Sequence, residues 1–134
     1  MSRLLVNIDV ADLEQATRFY CAALDLRVGR RFEGWTELVG ADAPIYLLPK
    51  PAGTMATSRS KEQRHYGRHW TPVHLDFVVE DLEKALARAR EAGATVETEV
   101  QTHAWGRLAL LADPFGNGFC LLQFTGRGYD EIAR

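Results

Sequence analysis

An imidazole and a carboxylate two residues apart on a strand are the strongest chemical signal in this chain. His74 and Asp76 lie in Val73-His74-Leu75-Asp76-Phe77-Val78-Val79. The alternation sends His74, Asp76 and Val78 to one face and Leu75, Phe77 and Val79 to the other. Such a pair can relay a proton, orient a base or share a divalent ion, and equally it can be a satisfied polar contact in a wet cavity. Further donors recur at strand parity: Asn7 and Asp9 near the start, Tyr46 in the middle, Cys120 near the end.

The elements that must carry these residues are written twice. Leu4 to Val10 alternates as the His74 stretch does, with Leu5, Asn7 and Asp9 on one side and Leu4, Val6, Ile8 and Val10 on the other. Asp12 then opens a helix, with Gln15 as its capping-box partner and Leu13, Ala16, Phe19, Tyr20 and Ala23 as its apolar stripe. A shift of 69 positions (79 − 10) places Val10, Asp12, Leu13, Glu14 and Ala16 on Val79, Asp81, Leu82, Glu83 and Ala85. Three strand-like runs follow each helix: 27–32, 35–39 and 45–48 after the first, 95–100, 107–112 and 118–124 after the second. Each half reads βαβββ, joined by a polar linker over 49–70 that is long for a passive connector. Residues 125–134 form a tail with no assigned structure.

Composition narrows the class of partner. The 134 residues carry 16 basic and 18 acidic side chains for a formal charge of −2, which gives neither nucleic acid nor an anionic membrane a reason to bind. No apolar run approaches the roughly 20 residues of a spanning helix, and the start lacks a signal-peptide pattern. Cys21 and Cys120 are the only cysteines, too few for a disulfide framework, so reduced thiols and a cytoplasmic location are expected. A small-molecule ligand is the default partner.

If each helix covers one face of its strands, the opposite faces are left over, and two such half-cups are expected to enclose a cavity. Its lining would be Leu5, Asn7 and Asp9; Tyr46 and Leu48; His74, Asp76 and Val78; and Cys120, Leu122 and Phe124. Trp35, Tyr46, Trp70, Trp105 and Phe124 make an aromatic set of the kind that lines ligand pockets. Trp105 is expected to face the ligand. Arg107 is read two ways, as a partner for an anionic ligand group or as an exposed cation. His65 and His69 either fold over the cavity mouth or belong to a solvated loop; His103 is expected at the surface.

The tandem units, the VxDLExA helix starts, Phe19-Tyr20, Trp105-Gly106-Arg107 and the turn Asp113-Pro114-Phe115-Gly116-Asn117 resemble the vicinal oxygen chelate superfamily over about residues 3–124. That group includes glyoxalase I, extradiol dioxygenases, fosfomycin-resistance enzymes and bleomycin-resistance binding proteins. The resemblance implies one α+β domain over 1–134, with tandem βαβββ modules at 3–48 and 71–124 forming a cupped mixed sheet. Of the four strand positions where the superfamily's metal enzymes place ligands, Leu5 cannot coordinate, His74 matches, Cys120 stands where glutamate is usual, and Tyr46 fills the fourth.

One standard ligand therefore survives, short of the three or four donors that a zinc-type ion takes. The first expectation is a small-molecule-binding protein, of the bleomycin-resistance type, that holds a partly aromatic or apolar ligand without the standard metal site and without a cofactor. The alternative is a lyase or dioxygenase with a divalent metal (Zn, Ni, Fe or Mn) on His74 and non-standard partners, either Asp76 or Cys120, with Asn7 and Asp9 as further candidates. In that case His74 would also be the catalytic group. Cys120 reads first as a small buried hydrophobe. Exposed sheet edges and the resemblance both lead to an expected homodimer, each cup completed by the other chain.

Overall fold

Alternating apolar residues make β1 (Val6–Val10), and Asp12 ends it by turning the chain into α1 (Leu13–Leu24). The Asp12 carboxylate accepts from the Gln15 backbone N–H at 2.9 Å, satisfying one of the free amides of the first turn. The computed structural model describes residues Met1 to Arg134. Strands β2 (Arg27–Phe32), β3 (Trp35–Val39) and β4 (Ile45–Pro49) complete a mixed sheet in the order β1-β4-β3-β2, with β1 and β4 parallel.

The second unit repeats this plan with one addition. After β5 (Leu75–Val78), Asp81 caps α2 (Leu82–Ala92) by accepting from the Lys84 N–H at 3.1 Å. The sheet runs β5-β9-β8-β6, where β6 is Thr95–Val96, β8 is Gly106–Ala112 and β9 is Gly118–Phe124. The expected strand over 95–100 is cut short, and Gln101–His103 form a separate β7 that folds back on β8 through the turn at Ala104-Trp105. Five strands replace the expected four. The tail is also ordered: Gly128–Glu131 make a 3-10 turn that packs on the end of β9.

Both helices bury their stripes in one core. Ala16, Phe19, Tyr20 and Ala23 of α1 meet Leu82, Ala85, Leu86 and Ala89 of α2, with Leu38 and Leu47 from one sheet and Leu111, Phe119 and Leu121 from the other. Small residues on both stripes let the helix backbones approach closely. The consequence corrects the sequence reading. Since each sheet turns its helix-bearing side to this common core, the two open faces point away from it, and the residues expected to line one cavity fall on two separate clefts, one with His74 and Cys120 and the other with Asn7 and Leu48.

Two polar ties lock the halves in register. Tyr20 of α1 donates its hydroxyl to the Asp113 carboxylate, which also accepts from the Phe115 N–H (2.8 Å), the Asn117 N–H (2.9 Å) and the Asn117 side-chain amide (2.9 Å). Burial, and then the neighbouring Asp113 charge, hold the Tyr20 hydroxyl well above its ordinary pKa, so it remains a donor. Asp113 thus organises the Asp-Pro-Phe-Gly-Asn turn and anchors the other half to it. The linker supplies the second tie. Arg64 donates to Asp9 at 2.6 Å, and Arg68 grips Glu97 through Nε and Nη2 at 2.7 and 2.9 Å. The His69 N–H also reaches the Gly116 carbonyl. Gly116 has a φ of +81°, and a Cβ there would collide with the Gly67 carbonyl, so the turn accepts the strap only as glycine.

Replacing Tyr20 with Phe should therefore lower stability by about 2 kcal/mol, the usual scale for a buried hydrogen bond to a charged acceptor. The urea midpoint should fall with no change in slope. An unchanged midpoint would show that this tie contributes nothing.

Candidate functional site

Strand register decides which donors share a face. On the second sheet Asp76 pairs with Cys120 across β5 and β9, and Cys120 with Leu110 across β9 and β8. The matching row on the first sheet is Asn7, Tyr46 and Glu37. His74 precedes Asp76 by two residues, as Leu5 precedes Asn7. These two rows on the outward faces are where polar chemistry can reach solvent.

The second-sheet row is open. His74 Nε2 lies 3.2 Å from an Asp76 oxygen, with the two side chains 58% and 40% exposed. The ligand atoms of His74, Asp76 and Cys120 all fall within 4.8 Å of one another. Cys120 is buried. Burial first, then the Asp76 charge and a hydrogen bond to it, push its thiol up to about 12, so in the free protein it stays protonated at neutral pH. Beside these residues lies a cleft of about 180 Å³ lined by Arg68, His69, Trp70, Thr71, Leu110 and Phe119, among others. Trp70 is 81% exposed, so most of its indole faces solvent. Arg68 only frames this cleft, because its guanidinium is occupied by Glu97 and by the His69 and Gly116 carbonyls.

The first-sheet row is closed. Glu37, only 8% exposed, accepts from the Arg30 backbone N–H at 3.0 Å, from Arg30 Nη2 at 2.6 Å and from the Tyr46 hydroxyl at 2.9 Å. Gly29 makes room for it, since a Cβ there would stand 2.6 Å from a Glu37 oxygen. Trp35 stacks on Phe32 at 3.9 Å and tilts against Tyr46 at 5.5 Å. Asn7 borders a separate cleft of about 330 Å³ with Trp35, Leu48 and Lys50.

The expected site residues therefore fall into groups. His74, Asp76 and Cys120 come together; Asn7 and Tyr46 share the other sheet; Asp9 is taken by Arg64 of the linker. Trp105 stacks on His103 and, with Phe124, packs against Tyr129 of the tail, so both aromatics sit in a local cluster. Arg107 lies on the helix side, paired with Glu83 at 2.5 Å and with Gln123 at 3.0 Å, which leaves neither of its two expected roles. Linker residue His69 lines the second-sheet cleft. The standard metal positions do not fit an ion: Leu5 has no donor, and the Tyr46 hydroxyl is spent on Glu37. Glu37 and Arg30 went unnoticed in the sequence, although Trp35, Glu37 and Val39 share a strand parity opposite Thr36 and Leu38.

Hydrogen bonds from the Arg30 side chain and backbone, and then from Tyr46, lower Glu37 from its ordinary 4.5 to about 2. The charged form is favoured in the folded chain, so its contribution is complete above pH 4.5 and is lost as pH falls toward 2. In thermal melts, Glu37→Gln should be less stable than the parent at neutral pH, and the gap should close across that window. A gap independent of pH would remove the charged network from the account.

A family model described as a glyoxalase-like domain matches residues 5–122. An uncharacterised protein of Mycobacterium bovis, Mb0911c, is 31% identical over 132 residues, covering 87% of this chain and 80% of its own. Rv0887c of Mycobacterium tuberculosis is also 31% identical, at 87% and 71% coverage. Among solved structures, the fosfomycin resistance protein FosX of Listeria monocytogenes superposes with a TM-score of 0.73 at 14% identity, covering 99% of this chain and 98% of its own. A glyoxalase/bleomycin resistance protein/dioxygenase family enzyme from Burkholderia phytofirmans gives 0.70 at 20% identity, with 90% and 97% covered. No helix is long and apolar enough to cross a membrane. With the repeat, the two mixed sheets and the matched span in agreement, the chain belongs to the glyoxalase-like family and has the glyoxalase/bleomycin resistance/dioxygenase fold of the vicinal oxygen chelate superfamily.

Proposed function

We propose that this chain binds a partly aromatic or apolar small molecule on the open face of its second sheet and works as a homodimer in which a second copy covers each cleft. The observation that carries the reading is the cleft itself, where the exposed Trp70 stands beside His69, His74 and Cys120. An exposed indole offers a stacking surface, the imidazoles offer hydrogen bonds, and Leu110 and Phe119 supply an apolar floor.

The dimer follows from the outward-facing geometry. Strands β1 and β5 are sheet edges with unpaired backbone groups, and Leu5, Val73 and Val78 beside them are exposed. A second copy would cover these edges and could bring a Trp35–Tyr46 face over a His74 cleft. A lyase or dioxygenase on the standard metal positions is the weaker reading, because Leu5 and Tyr46 cannot supply that ligand set.

Titration with a panel of flat aromatic compounds, followed by tryptophan fluorescence, tests the binding. At least one compound should bind. Trp70→Ala should weaken it about tenfold, equivalent to roughly 1.4 kcal/mol of stacking, while leaving the melting temperature in place. Equal affinity in the variant, or no binding by any compound, would overturn the assignment. Light scattering at micromolar concentration should give twice the chain mass; a monomer would remove the dimer.

A further inference from the structure

We infer that the cleft on the first sheet is a second ligand site, one that takes the anionic group of a flat molecule, with Lys50 as its charge partner and Trp35 as its stacking surface. It goes beyond the binding function above and stands without it, because the two clefts share no lining residue. The space is about 330 Å³, bounded by Asn7, Gly34, Trp35, Leu48, Pro49 and Lys50. Strand order brings these residues together: Asn7 is on β1, Leu48 and Pro49 are on β4 beside it, and Trp35 starts β3, the next strand. Gly34 keeps the mouth open, since no heavy atom lies within 4 Å of where a Cβ would stand. The backbone of Lys50 is fixed, its N–H donating to the Val10 carbonyl at 3.1 Å and its carbonyl accepting from the Tyr66 hydroxyl at 2.5 Å. Only its exposed side chain is left free to meet a ligand.

Electrostatics selects the sign of the ligand. Strand parity puts two carboxylates on this face, and each is already neutralised: Asp9 by Arg64 and Glu37 by Arg30, both at 2.6 Å. Lys50 takes part in none of the chain's ion pairs. Glu33, in the exposed turn before Gly34, is not among the lining residues. The positive charge at the cleft is therefore uncompensated, and an anion there gains a partner without displacing one. The site begins where the closed network ends: Tyr46 and Glu37 do not line it, whereas Asn7, outside that network, brings an amide donor. Trp35 sets the shape. Stacked on Phe32 at 3.9 Å and tilted against Tyr46 at 5.5 Å, its indole is held in one orientation while it borders the cleft. With Leu48 and Pro49 it offers an apolar wall to an aromatic ring, and an aromatic carboxylate is the class that meets both this wall and Lys50.

Two probes of one shape and different charge, 2-naphthoate and the neutral 2-naphthamide, provide the test, read by nitrogen–proton NMR of the labelled chain. The naphthoate should shift the Trp35 indole N–H and the Asn7 side-chain amide, and should bind about threefold to fivefold more tightly than the naphthamide, the scale of an exposed ion pair. That preference should shrink as salt rises. Lys50→Gln should erase it and Lys50→Arg restore it, while Lys84→Gln, an exposed lysine on α2, should leave it in place. Asn7→Asp, which puts a negative charge into the cleft, should weaken the naphthoate and spare the naphthamide. Melting temperatures equal to the parent's show that a lost preference is loss of the site and not of the fold. Equal affinity for the two probes, a preference that survives Lys50→Gln, no binding by either probe, or shifts confined to the Trp70 indole would overturn the site. Shifts at Trp70 alone would at the same time support binding on the second sheet, so the two readings fail separately.

Discussion

The packing of α1 against α2 governs the rest of the molecule. An amphipathic helix must bury its apolar stripe, and here each does so against the other helix as well as its own sheet, with Ala16, Ala23, Ala85 and Ala89 allowing the approach. Once the helix sides share a core, the other side of each sheet has only solvent or another molecule to face. That topological constraint separates the Trp35–Tyr46 face from the His74 face within the chain and leaves both strand edges free.

The constraint also explains the linker. Two halves joined only by apolar packing could slide, since hydrophobic contact has little directionality. The directional terms come from Tyr20 on Asp113 and from the strap over residues 64–69, which holds Asp9 in one half and Glu97 and Gly116 in the other. The segment is long because it crosses between the sheets and then runs along the cleft to deliver His69 and Trp70. Its length has a structural use at every anchor.

Period and repetition made most of the fold legible. The shift of 69 residues, the caps at Asp12 and Asp81 and the strand alternation are local signals, and each reappears in the structure. The β7–β8 hairpin was hidden because Gln101, Thr102 and His103 are polar and exposed, with no apolar alternation to mark a strand. Parity places Arg107 with Ala109 and Leu111 on the helix side, a signal that neither of its two expected roles used. Asn7, Asp9 and Tyr46 have the parity expected of them, but their separation from His74 depends on how the halves pack, which no local pattern encodes.

What distinguishes the two halves is the degree to which their polar rows are already satisfied. In the first, Glu37 is ionised and saturated by Arg30 and Tyr46, and the arginine is raised further by the same contacts, so neither group is free for chemistry without breaking the other. In the second, Asp76 serves both an exposed imidazole and a buried thiol, and nothing else in the row competes for them. Duplicated strands thus hold a finished network on one side and donors with capacity to spare on the other. A guest molecule of the proposed kind would gain more from the second row, because binding there adds partners to under-used groups, whereas binding at the first must displace a charge-assisted bond.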